Sequence, residues 1–358
     1  MSAKPPQLTY AGAGVDVPRA MTAVERIKPH AARTHDAAVI GGIGPFAAAI
    51  DLEMVMAELD IKHPVMLQSV DGPGTIPILA RLARDGADCR HFRTLGYNVA
   101  MHCFCDLACG GGRPITLLDN ISSTDMDGDI IEAIVAGMAD ACEEAGCRLT
   151  GGELAQLPKV IVPGEYDFCA CVTGLVERSQ WINPQSRIRP DQKLVGFEAF
   201  CPNLNGLSLV RKIVFDLLGM SITDIVNATG KSVADTFIQP QPNYARVIVE
   251  QLKQGVDVIA ASHITGGGLP DNIVRNLPQG CHARITMKSW PRPALFSWLM
   301  RKGNVSLEAA RQTWNLGIGF VQVVAGMDEA NQVIGLVNEA LGIRAWVIGS
   351  IEHAVEFV

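Results

Sequence analysis

The chain has 358 residues, 48% of them hydrophobic and 19% charged, and at roughly 100–200 residues per domain this length predicts about two domains. Lys and Arg number 30 against 37 Asp and Glu, a net charge of −7, which argues against a nucleic-acid or anionic-membrane binder held by bulk charge. No run reaches the roughly 18 apolar residues of a membrane span, and the opening Met1-Ser2-Ala3-Lys4-Pro5-Pro6 lacks the apolar stretch of a signal peptide. The expectation is a soluble cytoplasmic protein. The ten cysteines fit that compartment as reduced, mostly buried thiols, because neither Cys103/Cys105/Cys109 nor Cys169/Cys171 has the paired spacing of a structural zinc site.

In chain order, an N-terminal arm leads into a short helix over 18–28 and a glycine patch, Gly41-Gly42-Ile43-Gly44. A strand over 64–70 stops at Asp71-Gly72-Pro73-Gly74-Thr75. A helix over 95–105 reaches Asp106, a strand follows over 114–118, and apolar spacing predicts an amphipathic helix over 129–145. Leu149-Thr150-Gly151-Gly152-Glu153 reads as a strand end with a glycine turn, and 170–176 as a further strand. The polar, proline-containing stretch 183–191 is the best linker, so the domain expectation is 1–178 and 179–358. Beyond it come a strand over 193–198, helices over 207–218 and 244–254, and a strand over 256–261. Ser262-His263-Ile264-Thr265-Gly266-Gly267-Gly268 precedes a helix over 270–277, and the chain closes with a strand over 317–325, a helix over 327–341 and a strand over 345–351. Strands and helices mixed in both halves define an α+β class.

Asp71, Asp106 and Glu153 each sit at an element end near glycine, where a phosphate or hydrated Mg²⁺ can approach the backbone closely. Singly, each also reads as an ordinary turn carboxylate. Thr265-Gly266-Gly267-Gly268 lies between a strand and a helix, the place where free backbone N–H groups favour an anion, although a tight turn would use the same glycines. His263, beside that run, is either a structural hydrogen-bonding group or an acid–base group. The chain contains no nucleophile elbow, no HExxH and no Walker A motif. These residues alone point to a Mg²⁺- and phosphate-handling enzyme.

Several longer segments resemble the aminoimidazole ribonucleotide synthetase family, the phosphoribosylformylglycinamidine cyclo-ligases. They are Asn205-Gly206-Leu207-Ser208-Leu209-Val210-Arg211-Lys212, His263-Ile264-Thr265-Gly266-Gly267-Gly268, and Gly303-Asn304-Val305 followed by Trp314-Asn315-Leu316-Gly317-Ile318-Gly319. The resemblance implies a two-domain α+β fold whose N-terminal domain dimerises through its sheet, making a homodimer, and whose C-terminal α/β domain takes the substrate side. It implies binding of ATP and Mg²⁺ and of a phosphorylated small molecule, with phosphorylation of a formamide oxygen followed by imidazole ring closure. By this resemblance Asp71, Asp106 and Glu153 hold magnesium, Gly41, Gly42 and Gly44 form the loop over the nucleotide, and Lys28 is a phosphate contact. Gly72 and Thr75 accompany Asp71 at the cofactor, while Asn205, Gly206, Thr265, Gly266, Gly267 and Gly268 line the substrate side, with His263 as the catalytic candidate. The sequence also departs from the family: Ile76 stands where the family has lysine, and Asn203 where it has the histidine expected to assist catalysis. Asn203 cannot exchange a proton near neutral pH, a loss typically worth about 10²–10⁴-fold. Two further readings therefore stand beside the cyclo-ligase: a paralogue activating a different amide, and a nucleotide-binding scaffold without turnover.

Overall fold

The computed structural model describes residues 8–353; the opening Met1–Pro6 segment read above lies outside them. Helix α1 (Val17–Ala32) starts on Asp16, whose carboxylate accepts from Arg19 N–H, and has Pro18 in its first turn. It runs four residues past the expected end because Pro29 is accommodated within the helix. Strand β1 (Pro64–Asp71) leads into helix α2 (Arg90–Cys109), followed by β2 (Arg113–Ser123), helix α3 (Gly128–Ala145), β3 (Arg148–Gln156) and β4 (Tyr166–Glu177). These strands form a sheet in the order β1-β4-β2-β3, antiparallel except for the β2–β3 pair. Helices α2 and α3 pack on one face of it. On the other face Met66, Val70 and Leu118 are exposed by 61%, 64% and 41%.

The second half begins with β5 (Lys193–Glu198) and helix α4 (Leu207–Arg211), which continues as a π-helical turn through Leu217. Helix α5 (Tyr244–Lys253), β6 (Ala260–His263), helix α6 (Gly268–Val274) and β7 (Cys281–Ile285) follow. Two helices the sequence reading did not anticipate, α7 (Ala294–Gly303) and α8 (Leu307–Thr313), precede β8 (Ile318–Val324), helix α9 (Met327–Leu341) and β9 (Ala345–His353). The strands form an antiparallel sheet in the order β6-β8-β5-β9-β7.

One apolar cluster joins the two halves. It runs from Leu95, Val99 and Phe104 on α2 to Phe197, Tyr244 and Phe320 of the second sheet and its covering helix. Ile76 is fully buried in it. Helix α2 therefore packs on its own sheet and also against α5 and β6. That double packing places the α2 residues four apart, Asn98, His102 and Asp106, at the junction of the halves. The ten cysteines are all unpaired thiols, and burial pushes the Cys105 thiol up to about 12. No helix among the described residues is long and apolar enough to cross a membrane.

Candidate active site

A cavity of about 540 Å³ opens at the junction, lined among others by Asp71, Asp106, Asn205, His263, Gly266 and Arg275. Each residue is placed by a separate element. Asp71 ends β1 and faces the helical side of the sheet, Asp106 stands on the last turn of α2, and His263 ends β6. After Asp71 the chain turns against the second half: Thr75 Oγ1 lies 3.2 Å from Ser208 Oγ, and a Cβ at Gly74 would lie 3.7 Å from the Leu204 carbonyl.

The carboxylates are joined by an unbroken polar chain. His102 Nε2 lies 3.2 Å from Asp71 Oδ2, and His263 Nδ1 lies 2.9 Å from Asp106 Oδ1. The Gln241 amide stands between the two rings, its Oε1 3.4 Å from His102 Nδ1 and its Nε2 3.2 Å from His263 Nε2. An ionised Asp106 can only accept, so His263 Nδ1–H donates to it, and the Gln241 Nε2 amide donates to the remaining His263 nitrogen. Ser69 Oγ–H donates to the other Asp106 oxygen at 3.0 Å, and Gly72 N–H donates to Asp71 Oδ1 at 2.7 Å.

Burial opposes ionisation of both carboxyls, but the hydrogen bonds outweigh it. The His102 ring holds Asp71 below the usual carboxylate range, and His263, His102 and Ser69 hold Asp106 below it. Burial and the neighbouring His102 push His263 down, which favours its neutral ring. Two ionised carboxylates facing a polar cavity, with oxygen acceptors to spare, fit a divalent cation.

The glycine run behaves as a shaped turn. Gly267 and Gly268 have φ of +87° and +62°, and a Cβ at Gly268 would come within 2.0 Å of the Arg311 carbonyl. Asn272 ties the turn together: its Nδ2 donates to the carbonyls of Gly266 and Gly268 at 3.1 and 2.8 Å, and Thr265 Oγ1–H donates to its Oδ1 at 3.2 Å. Gly206, with φ of +73°, sits under Trp314, to which a Cβ would come within 2.6 Å. Asn205 lies beside Gly266, and its Nδ2 is buried without a partner among the described residues.

Several expected residues are not brought to this cluster. Glu153 pairs with Asn120 on β3, at the opposite edge of the sheet from β1. A bulge between Leu117 and Leu118 shifts the β2–β3 register, and strand alternation then puts Glu153 on the exposed face, away from Asp71. The three carboxylates do not converge within the chain. Nor do Gly151 and Gly152 form a turn: both lie inside β3, and Gly152 leaves room for Asp119, whose Oδ1 would be 1.6 Å from a Cβ there. Lys28 pairs with Glu25 on α1 at 2.6 Å. The loop carrying Gly41, Gly42 and Gly44, at φ of +88°, +65° and +142°, joins two short strands, Val39–Ile40 and Ala49–Ile50. Among the described residues no hydrogen bond or ion pair links Lys28 or that loop to the carboxylate–imidazole cluster. Asn203 is 3% exposed with φ of +56°, and its Oδ1 accepts from the Cys201 thiol at 3.7 Å, behind the cavity wall. Sequence reading missed His102, Gln241, Asn272 and Arg275. Only His102 carried a signal, four residues before Asp106 on one helix.

This fold and site define a recognisable class. The N-terminal-domain model of AIR synthase related proteins matches residues 35–176 and the C-terminal-domain model residues 189–358. The chain belongs to the AIR synthase related family. Within it, the phosphoribosylformylglycinamidine cyclo-ligase of Oceanobacillus iheyensis is 39% identical over 352 residues, 97% of this chain and 98% of that protein. Among solved structures, the thiamine-monophosphate kinase of Stenotrophomonas maltophilia K279a superposes with a TM-score of 0.65 at 17% identity, covering 92% of this chain and 93% of its own. The hydrogenase maturation protein HypE in complex with ATP superposes with a TM-score of 0.60 at 18% identity, covering 90% and 84%. These two share the fold.

Proposed function

We propose that the chain is an ATP-dependent ligase of the phosphoribosylformylglycinamidine cyclo-ligase type, converting formylglycinamidine ribonucleotide to aminoimidazole ribonucleotide in purine biosynthesis. The observation that carries this reading is the cavity where Asp71, Asp106, His263, Asn205 and the Thr265–Gly268 turn meet. The full-length likeness to a protein of that name at 39% identity supports it.

An amide oxygen is a poor leaving group, and ATP with Mg²⁺ supplies the phosphoryl group that makes it a good one. The amidine nitrogen can then attack the former formyl carbon, with phosphate departing as the ring closes. The protein's part is positioning and charge neutralisation. Asp71 and Asp106 would hold the cation, and His263, donating through Nδ1–H, fixes Asp106. Arg275 brings a guanidinium to the cavity lining, where it suits a substrate phosphate.

The reading includes a homodimer. The sheet face carrying Met66, Val70 and Leu118 is the exposed apolar surface such an interface would cover. Glu153 lies on that same face, so a role for it in metal or nucleotide binding belongs to the assembled dimer, as do the expected roles of Lys28 and of the Gly41–Gly44 loop. Ten unpaired thiols fit a reducing cytoplasm.

A second reading, a paralogue acting on a different amide, is favoured by Asn203, which is buried and stands where the resemblance implies a histidine assisting catalysis. The deciding experiment incubates the purified protein with Mg-ATP and formylglycinamidine ribonucleotide and follows phosphate and product mass. A product lighter by one water, formed in step with phosphate, is expected. ATP binding without that product would transfer the assignment to the paralogue.

A further inference from the structure

A second cavity, of about 600 Å³, lies at the opposite end of β6 from His263, walled by α5, β8, α9 and the segment 256–259 that leads into β6. Two glutamines line it, and neither belongs to the carboxylate–imidazole cluster. Gln322 sits in the middle of β8, between Ala261 on one neighbouring strand and Val195 on the other. Strand alternation puts its side chain on the same face as Phe320 and Val324, the face packed against Tyr244 of α5 and Val333 of α9. Gln251 comes from α5. Gln322 and Gln251 are 0% and 1% exposed. Among the described residues, Gln322 Nε2, Gln322 Oε1 and Gln251 Oε1 have no hydrogen-bond partner.

A buried amide without a partner is costly, because folding strips its water and returns nothing. A leucine at position 322 would occupy the same space beside Val324 and Leu336 without that cost. A structural water needs only about 10–15 Å³ of such space, far less than this cavity offers. Ligand pockets span roughly 300–1,000 Å³ and set a few placed polar groups in a mostly apolar wall. Two unpaired amides among aliphatic side chains have that make-up.

We propose that this cavity is a second binding site, for an uncharged nucleobase-type heterocycle that carries no phosphate. A glutamine amide presents a donor and an acceptor side by side, the pattern that meets an adenine edge bidentately. Ile259, Val324 and Leu336 offer an apolar wall to a flat ring. Exposed Asp257 and Glu329 stand at the rim, and among the described residues no Lys or Arg lines the cavity. Arg187 approaches only to pair with Asp257. An acidic rim repels phosphate and carboxylate, so a nucleotide is rejected where its base is accepted. The site goes beyond the cyclo-ligase reading and does not depend on it.

The test measures adenine binding to the full-length protein by equilibrium dialysis, in the presence of excess Mg²⁺ and a non-hydrolysable ATP analogue that occupies any nucleotide site. One adenine per chain is expected, and AMP under the same conditions should bind at least about 10-fold more weakly. Gln322→Leu should lower adenine affinity at least about 10-fold, with the melting temperature of the unliganded protein equal or higher and binding of the ATP analogue unchanged. Without any variant, the side-chain amide resonances of Gln251 and Gln322 in the wild type should shift when adenine is added. No adenine bound beside the ATP analogue, AMP bound as tightly as adenine, an unchanged affinity in Gln322→Leu, or glutamine amides indifferent to adenine would each overturn the proposal and leave the cavity to water. None of these readouts involves turnover, so their failure is separable from failure of the cyclo-ligase reading.

Discussion

Asn98 and Gln241, 143 positions apart in sequence, are bound at the junction of the two halves: the Asn98 side-chain Oδ1 accepts the Gln241 backbone N–H at 2.8 Å. Through this bond helix α2 sets the height of the amide that orients both active-site imidazoles. Replacing Asn98 with Ala leaves that N–H and the Gln239 carbonyl without their partner in a buried setting. A stability loss of about 1–3 kcal/mol is expected in denaturant titration, together with weaker metal binding because Gln241 is no longer fixed. An unchanged midpoint would show that water replaces Asn98 without cost.

Asp106 receives hydrogen bonds from both His263 and Ser69, and an amide in its place loses the charge while keeping the shape. Asp106→Asn is therefore expected to retain the fold by circular dichroism and to lose turnover by at least about 100-fold. Near-wild-type turnover would remove Asp106 from the metal site.

Gly268 has φ of +62°, and a Cβ there would meet the Arg311 carbonyl at 2.0 Å. Since the obstacle is backbone, it cannot be relieved by rotating a side chain. Gly268→Ala should lower stability by about 2–3 kcal/mol and raise KM for the nucleotide or substrate by displacing the turn. A variant matching the wild type in melting temperature and KM would contradict this reading of the turn.

Burial raises the Asp119 carboxyl to about 7, above its unfolded value near 4. The folded state thus holds a proton that the unfolded chain has already released, so this contribution is complete below about pH 4 and is lost as pH rises through about 7. Between pH 5 and pH 8 stability should decline by about 2–3 kcal/mol from this group, and Asp119→Asn should flatten the decline. Parallel pH profiles for the two proteins would show that Asp119 ionises normally.

Much of the fold was legible in the sequence because periodicity reports burial directly. The strand over 193–198 and the helix over 327–341 match the structure at both ends. Helix α1 was read short because Pro29 looks like a terminator, yet the helix absorbs it. Asp71, Asp106, Asn205, His263, Thr265 and Gly266, expected from motifs beside glycine turns, line one cavity. Glu153 was grouped with them on its local pattern alone. The bulge at Leu117/Leu118 and the face alternation that separate it are long-range properties of strand pairing. Gln241 lay in the Pro240–Pro242 stretch, which has no period to read, and its importance comes from contacts with residues over 130 positions away. Asn203 shows the limit in the other direction: its position in the motif is clear, but only the structure reveals a side chain turned to Cys201.

The central claim is that this protein activates a formamide by phosphorylating its oxygen, and oxygen tracing tests that claim most directly. Formylglycinamidine ribonucleotide carrying ¹⁸O in the formyl group is turned over with unlabelled Mg-ATP, and the released phosphate is examined by mass spectrometry. The account predicts one labelled oxygen per phosphate, matched by an equal amount of ring-closed product. Unlabelled phosphate alongside product, or ATP hydrolysis with the substrate recovered intact, would contradict it.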